Sequence, residues 1–191
     1  RRKINYISIP TTLIGIVDAG IGIKVGGNFE TSKNFLGSFY APLAVFNDQS
    51  FLKTLNIEEI RCGLYEMVKM AIIKSDYLFD LLEKNVSKFL DKKFDNSTDE
   101  INRLAIQLML EELEPNLFEK NLKRLVDFGH AFSSYIESYS NYEIPHGMAV
   151  GIDMLICSHI AKQRKILTEV NFDRINKLFH RIGVSKIPEG C

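Results

Sequence analysis

Four histidines occur in the sequence, and two of them stand where a rigid backbone could aim a side chain into a site. His130 follows a glycine after the apolar pair Leu125-Val126, and His146 lies in a Pro145–Gly147 turn. Each precedes a predicted helix, and backbone at a helix entrance positions a side chain well. Two imidazoles and one carboxylate form a common zinc set with a position open for substrate. Spacing alone does not identify the carboxylate, and a pair of capping or core histidines is the alternative.

Glu66 and Lys69 lie three residues apart, which places them on one face of a predicted helix. Their neighbours Leu64, Met67 and Val68 are apolar, so we expect this face to be partly buried. A buried carboxylate and ammonium need partners, either each other or a metal ion and an anionic ligand. A surface ion pair is the alternative reading of the same spacing.

A glycine-rich stretch over residues 15–37 contains Lys24 and Lys33 together with Asp18 and Asn34. So many glycines indicate tight turns or close approach of the backbone to a ligand. Lysines among glycines suit a phosphate or carboxylate group. The order of residues is not that of a P-loop, and no GxGxxG occurs, so this stretch alone does not identify a nucleotide-binding fold.

The elements that must position these residues change in character along the chain. Short strands are predicted at Ile4–Ile9, from its alternating pattern, and at Ala44–Phe46. From residue 51 onward the apolar spacing is helical. The first predicted helix has Asn56 as N-cap and Glu59 as capping-box partner. The other predicted helices cover about Tyr77–Leu90, Asp99–Glu112, part of Asn121–Tyr139, Gly147–Lys162 and Phe172–Ile182. A surface loop is predicted at Asp91–Asp99. The fold class is therefore mainly α. We expect the edge of an α/β domain over residues 1–50 and an all-helical domain over 51–191.

Composition narrows the class of protein. The 24 basic and 24 acidic residues balance, which disfavours broad binding to nucleic acid. The apolar runs are too short to span a membrane. Three widely spaced cysteines without a CxxC pair predict free thiols and a cytoplasmic location. Two or three strands cannot complete a doubly wound sheet, so we expect a fragment of a longer polypeptide. A natural protein with an intact mass near 21.8 kDa would contradict this expectation.

Six segments match, in order and spacing, the motifs of one enzyme superfamily. They are Pro10–Leu13, Val17–Lys24, Lys33-Asn34, Gly63–Lys69, Asp127–His130 and His146-Gly147. On these segments the chain resembles the dehydroquinate synthase superfamily, the sugar phosphate cyclases, across essentially its whole length. The resemblance implies the edge of an NAD-binding domain followed by a helical metal-binding domain, in an enzyme that is a homodimer.

The resemblance also implies roles for individual residues. The metal ligands would be Glu66, His130 and His146, holding Zn²⁺ or Co²⁺. Contacts to NAD would come from Thr11, Thr12, Asp18, Lys33, Phe51 and Thr54. Substrate would be bound by Asp18, Lys24, Lys33, Asn34, Lys69, and either Lys123 or Arg124. The catalytic residues would be Lys24, Lys69 and Asp127.

Within the superfamily, the segments Met109–Leu117 and Val126–Ser133 are similar to those of the sedoheptulose 7-phosphate cyclases. Dehydroquinate synthases have Asn where this chain has Asp127, and His where it has Ser134. They also place a lysine for the substrate carboxylate in the region of Ile101–Glu114, where this chain has none. A substrate without a carboxylate needs fewer cations, and Asp127 would repel one. The sedoheptulose group usually has Pro at the position of Ser134, and many members have Glu at the position of Met148.

The resemblance therefore implies conversion of sedoheptulose 7-phosphate to a valiolone-type cyclitol with loss of phosphate, using recycled NAD and zinc. Two alternatives stay open, a 3-dehydroquinate synthase of the shikimate pathway and an inactive metal-binding fragment. A metal-dependent alcohol dehydrogenase similar to glycerol dehydrogenase is more distant, because it shares the architecture but not these motifs.

Overall fold

The structure of the protein is a computed structural model that describes residues 4–29 and 32–184, apart from the side chains of residues 28 and 32–34. Two small sheets lie in the first part of the chain. Strands β1 (Ile7–Ser8) and β4 (Ala44–Val45) pair in parallel, with Ile7 opposite Ala44. Strands β2 (Lys24–Phe29) and β3 (Ser32–Phe39) form an antiparallel hairpin.

The hairpin is the main difference from the prediction, which expected turns or ligand-binding backbone in the glycine-rich stretch. Gly26 pairs with Gly37 across the two strands, and a Cβ on Gly37 would lie 2.7 Å from the carbonyl oxygen of Val25. The glycines therefore allow close pairing of two strands. They also interrupt the alternation of side chains from which a strand is normally predicted. Before the hairpin, Gly15–Ala19 forms a single π-helical turn.

In the part of the chain that the structure describes, six α-helices follow. They are α1 (Ile57–Lys74), α2 (Asp76–Leu90), α3 (Asn96–Leu113), α4 (Ser133–Tyr139), α5 (His146–Gln163) and α6 (Glu169–Ile182). Three 3₁₀ turns occur at Gln49–Thr54, Glu114–Asn116 and Leu125–Asp127. None of the described helices is long and apolar enough to cross a membrane. Cys62 and Cys157 are free thiols, as predicted, and Cys191 lies outside the described residues.

The predicted helices all occur, with shifts at their ends. Helix α3 begins at Asn96, before the predicted Asp99, because a capping box forms at Asp95. The Asp95 carboxylate accepts from the backbone N–H of Thr98 at 3.3 Å, and the Thr98 hydroxyl accepts from the Asp95 N–H at 2.9 Å. This reciprocal pair satisfies N–H groups that a helix start otherwise leaves without partners. The predicted loop is therefore shorter than expected.

Helix α1 is the centre of the helical core. Every residue from Cys62 to Ala71 is buried, although several of them are polar or charged. Glycines allow its neighbours to approach closely. A Cβ on Gly63 would lie 2.4 Å from the Leu13 side chain, and one on Gly147 would lie 2.5 Å from the Cα of Cys62. Helices α1 and α5 therefore meet backbone to backbone next to His146.

We predict that Gly147→Ala destabilises the protein. The added methyl group would meet the backbone of α1, which cannot give way as a flexible side chain can. Overpacking of this kind lowers the free energy of unfolding by about 1–3 kcal/mol. The measurement is urea unfolding of the natural full-length polypeptide. Gly22→Ala is the control, since a Cβ at Gly22 meets only the Asp18 carbonyl oxygen at 3.9 Å. Equal stability of the two variants would contradict the prediction.

Candidate metal and substrate site

The structure brings the three predicted ligands Glu66, His130 and His146 together. One potential ligand atom of each lies within 4.8 Å of those of the other two. The two imidazole ring centroids are 5.4 Å apart. Glu66 is buried, His146 is half-buried and His130 is exposed to a cavity. The cluster combines residues from α1, from the turn before α4 and from the start of α5, so no local stretch of sequence contains it.

Local sequence explains how each of these segments is held. The Asn56 side chain accepts from the backbone N–H of Glu59 at 2.9 Å, which caps α1 as predicted. Gly129 adopts φ +81°, and a Cβ there would lie 2.9 Å from the Val150 side chain. Glycine therefore permits the tight turn that carries His130 across α5. Pro145 ends the preceding loop in an extended conformation and starts α5 at His146.

Glu66 gives the clearest indication that these residues suit a cation. The carboxylate is 1% exposed, and its Oε2 lies 2.5 Å from the Lys69 ammonium. Its Oε1 is also buried and accepts no hydrogen bond from the described residues. A buried acceptor without a partner is costly, whereas a carboxylate oxygen next to two imidazoles is a good zinc ligand. The residues present therefore fit a bound Zn²⁺ or Co²⁺ ion.

The environment of His130 favours the form of imidazole that binds metal. Loss of hydration and the nearby Lys69 ammonium lower the pKa of His130. A lower pKa keeps the ring neutral, and only neutral imidazole coordinates a metal. The Nδ1 atom of His130 lies 3.3 Å from the carbonyl oxygen of Phe128. This long contact involves Nδ1 and not the other ring nitrogen, Nε2.

His130 and His146 of the cluster line a cavity of about 690 Å³ that is large enough for a sugar phosphate. The charged and metal-ligating residues that line it are Asp18, Lys24, Lys69, Glu112, Glu119, Arg124, Asp127, His130, Glu137 and His146. Cations and carboxylates are interspersed, which suits a ligand that carries both an anionic group and several hydroxyls.

Buried charges at Asp18 and Lys69 influence each other. Burial, and after it the neighbouring Glu66 carboxylate, raise the pKa of Asp18 to about 6, although the cations Lys69, His146 and Lys24 act in the opposite direction. For Lys69, burial alone would lower the pKa, but the carboxylates of Glu66 and Asp18 outweigh this effect and raise it. Lys69 therefore stays protonated and holds together two carboxylates that would otherwise repel.

A second group of charges surrounds Lys24. Glu119 forms ion pairs with both Lys24 and Arg124. The Arg124 guanidinium also donates two hydrogen bonds to Asp127, from Nη2 to Oδ1 at 2.5 Å and from Nε to Oδ2 at 3.0 Å. Burial and the nearby Arg124 lower the pKa of Lys24. Two cations and two carboxylates thus form one network at the cavity wall.

The other predicted residues are distributed as follows. Asp18, Lys24, Lys69, Arg124 and Asp127 line the cavity with the metal cluster, whereas Lys123 is exposed outside it. Of the two alternatives for the basic residue before His130, the structure therefore places Arg124 at the site. Thr11, Thr12, Phe51 and Thr54 do not line this cavity. The side chains of Lys33 and Asn34 lie outside the described residues.

Sequence reasoning missed three acidic residues of the cavity. Glu112 lies on α3 and pairs with Lys74 at 2.5 Å, Glu119 lies in a loop, and Glu137 lies on α4. Glu112 lies in the family-similar segment Met109–Leu117 but was assigned no role, and Glu119 lies in no motif; the approach of both to the cavity depends on the packing of distant segments. Glu137 follows His130 by seven positions in a short helix of mixed polarity, and no local signal singled it out.

We predict that Asp18 titrates near pH 6 in the metal-free, full-length protein, against 3.8 for an ordinary Asp. A raised folded-state pKa means that the folded protein binds this proton more tightly than the unfolded chain. Its stability therefore falls as pH rises from about 4 to 6. Asp18→Asn should gain stability over the parent above pH 6 and match it below about pH 4.

Carbon-13 NMR of aspartate carboxyls, with urea unfolding at several pH values, measures both effects. Asp173→Asn, at an exposed position of α6, is the control for the Asp-to-Asn change itself. Added Zn²⁺ should lower the Asp18 midpoint, because a cation beside Glu66 offsets its charge. A midpoint near 4 without metal would refute the prediction.

Comparison with known proteins identifies the family. Residues 1–62 match the family model of the 3-dehydroquinate synthase N-terminal region, and residues 63–188 match that of the C-terminal region. A 2-epi-5-epi-valiolone synthase of Streptomyces glaucescens is 42% identical over 96% of this chain and 47% of its own length. A demethyl-4-deoxygadusol synthase of Trichormus variabilis is 41% identical over 97% of this chain and 47% of its own length.

Among solved structures, the 2-epi-5-epi-valiolone synthase ValA of Streptomyces hygroscopicus subsp. jinggangensis, with NAD⁺ and Zn²⁺ bound, superposes with a TM-score of 0.93. It is 42% identical and covers 98% of this chain and 52% of its own. The chain thus spans about half the length of the relatives it matches. With both family models matched in order and the predicted ligand cluster assembled, the chain belongs to the 3-dehydroquinate synthase family.

Proposed function

We propose that the protein containing this chain is a sugar phosphate cyclase that converts sedoheptulose 7-phosphate to a valiolone-type cyclitol with loss of phosphate. It would use zinc and NAD, which is recycled within the reaction. The observation that carries the choice of substrate is that helix α3 contributes Glu112 and no cation to the cavity, while Asp127 lies on the cavity wall before His130. Sedoheptulose 7-phosphate has no carboxylate to be repelled there.

Glu66, His130 and His146 would hold the metal ion, which when bound supplies Lewis-acid polarisation of a substrate hydroxyl. The buried, unpaired Oε1 of Glu66 supports this assignment. The ammonium of Lys69, 2.5 Å from the other oxygen of the same carboxylate, would orient Glu66 and contact the substrate from the cavity wall.

Lys24 and Arg124 would bind the phosphate group. Both cations already converge on one carboxylate, that of Glu119, so their positions suit a single anion. Burial lowers the pKa of Lys24, whereas the negative charges of Asp18 and Asp127 raise it. A bound phosphate would raise this pKa in the same way, because it is also negatively charged. Lys33 and Asn34 stay predicted contacts of the substrate.

Asp127 would work against carboxylated substrates, because its own negative charge repels a carboxylate held close to it. Helix α3, in which a lysine would serve a carboxylated substrate, contributes Met109, Glu112 and Leu113 to the cavity and no cation. These features together support a neutral sugar end of the substrate.

The NAD contacts are a proposal supported by the solved relative. ValA contains NAD⁺, and this chain superposes on it over 98% of its length. Thr11 and Thr12 precede the π-helical turn that carries Asp18, while Phe51 and Thr54 lie exposed on the 3₁₀ turn before α1. We propose that these residues face the cofactor from outside the described cavity. Division into units at residues 1–50 and 51–191, and assembly as a homodimer, likewise stay predictions.

We predict that the natural full-length protein, given NAD and Zn²⁺, releases phosphate from sedoheptulose 7-phosphate and forms a cyclitol. The measurement combines a phosphate assay with mass spectrometry and NMR of the product. Glu66→Ala should abolish turnover, because it removes a metal ligand. Glu58→Ala, a matched change of an exposed glutamate on the same helix, should leave it unchanged. Turnover of the carboxylated precursor of 3-dehydroquinate alone would show a 3-dehydroquinate synthase instead, and no turnover of either would favour the inactive-fragment alternative.

We also predict that Asp127→Asn improves binding of the carboxylated precursor. Removing one negative charge at several ångströms in a partly hydrated cavity changes binding by about 1–3 kcal/mol. The inhibition constant of this compound against sedoheptulose 7-phosphate should therefore fall about tenfold or more. Asp99→Asn is the control, because Asp99 lies on α3 outside the cavity and pairs with Arg103. An unchanged inhibition constant would remove Asp127 from the account of specificity.

A further inference from the structure

Two hydrogen-bonded contacts connect helices α4 and α5. Glu137, near the end of α4, contacts His146 at the start of α5, with 2.9 Å between Glu137 Oε1 and His146 Nδ1. At the other end, Asp153 of α5 accepts from the backbone N–H of Phe132 and, at 2.8 Å, from that of Ser133. The two helices therefore run in opposite directions and are joined by a carboxylate at each end.

Both carboxylates are buried. Glu137 is 4% exposed and Asp153 is fully buried. A buried carboxylate is stable only where donors satisfy it, so these contacts are strongly defined. Asp153 meets this need with the two N–H groups at the start of α4 and with the Cys157 thiol at 3.2 Å. Glu137 meets it in part with the imidazole of His146.

The contact with Glu137 determines which nitrogen of His146 is available. A carboxylate can only accept, so in the neutral ring Nδ1 carries the proton and Nε2 keeps its lone pair. Nε2 is then the atom that can join Glu66 and His130 in a metal site. The negative charge at Nδ1 also makes Nε2 a stronger donor, as in other carboxylate–histidine–zinc arrangements.

Helix α4 needs the second contact because it is only seven residues long. A helix of this length is not stable by itself in water, so tertiary contacts must hold it. Its first residue has no side-chain cap of its own, and the distant Asp153 supplies the negative charge and the acceptor at its N-terminus. The position of Glu137 therefore depends on Asp153.

We propose that Glu137 is a positioning residue, held in place by the Asp153 contact, that fixes the tautomer and orientation of His146 for metal binding. This inference rests on the proposed metal site at Glu66, His130 and His146. It assigns a role to two carboxylates that are not themselves in the predicted ligand set. Loss of such a partner of a metal-binding histidine lowers metal affinity about 10–100-fold.

The test compares Glu137→Ala and Glu137→Gln with the control Glu143→Ala in the natural full-length protein. Glu143 is an exposed glutamate in the loop between the same two helices. Zinc affinity is measured by competition with a chromogenic chelator, and the His146 tautomer by nitrogen-15 NMR of the metal-free protein. Glu137→Ala should bind Zn²⁺ about 10–100-fold more weakly and lose the single Nδ1–H tautomer. Glu143→Ala should match the parent protein.

Glu137→Gln separates positioning from a general structural role. Its amide oxygen can still accept from Nδ1–H, so the tautomer should persist, and zinc affinity should lie between those of the parent and Glu137→Ala. Asp153→Asn keeps an acceptor for α4 and should likewise be milder than Asp153→Ala. A purely structural role predicts parallel loss of stability and zinc binding in both Glu137 variants, with the tautomer unchanged.

Several results would overturn the inference. Zinc affinity of Glu137→Ala within twofold of the parent would do so while leaving the metal site intact. An Nε2–H tautomer of His146 in the metal-free parent protein would also overturn the inference. Failure of the parent to bind Zn²⁺, or binding by Glu66→Ala as tight as by the parent, would overturn the proposed metal site and this inference together.

Discussion

The carboxylate of Glu66 is buried at the centre of the helical core, and much of the structure around it can be understood as its compensation. The Lys69 ammonium lies 2.5 Å from one oxygen, and the other accepts no hydrogen bond from the described residues, with two imidazoles nearby. An isolated charge in such a place would shift its protonation or unfold the helix that carries it. The surrounding charges are linked to it. Glu66 helps to keep Lys69 protonated and adds to the effect of burial that raises the pKa of Asp18 to about 6, whereas burial and Lys69 lower the pKa of His130 against the effect of Glu66.

The helices pack around the Glu66 carboxylate and leave a cavity on one side of it. Glycines at positions 63 and 147 let the π-helical segment and α5 approach the backbone of α1. Close packing on those sides leaves the cavity on the side of the histidines, where side chains from the hairpin, α3 and the loop before α4 complete the wall. A rigid frame with one open side is what a binding site for a small, charged substrate requires.

The cavity separates two tasks by charge. The proposed metal ligands and Lys69 meet beside the buried middle of α1, whereas Lys24, Arg124, Glu119 and Asp127 form an ion-pair network in the outer loops and hairpin. The first group is held by packing and changes little without loss of stability. The second group lies in loops, which tolerate substitution, so differences in substrate among members of the family are most easily accommodated there.

Local sequence determined the helices and their caps, since apolar spacing and capping residues such as Asn56 act over a few positions. It also singled out His130 and His146, because glycine and proline mark the turns that aim them. The choice of Glu66 as third ligand came from the family motif, and the structure then brought the three together. Only the tertiary structure decided between Lys123 and Arg124, formed a hairpin from the glycine-rich stretch, and added Glu112, Glu119 and Glu137 to the cavity. These features depend on contacts between segments far apart in the chain, which no local pattern of side chains records.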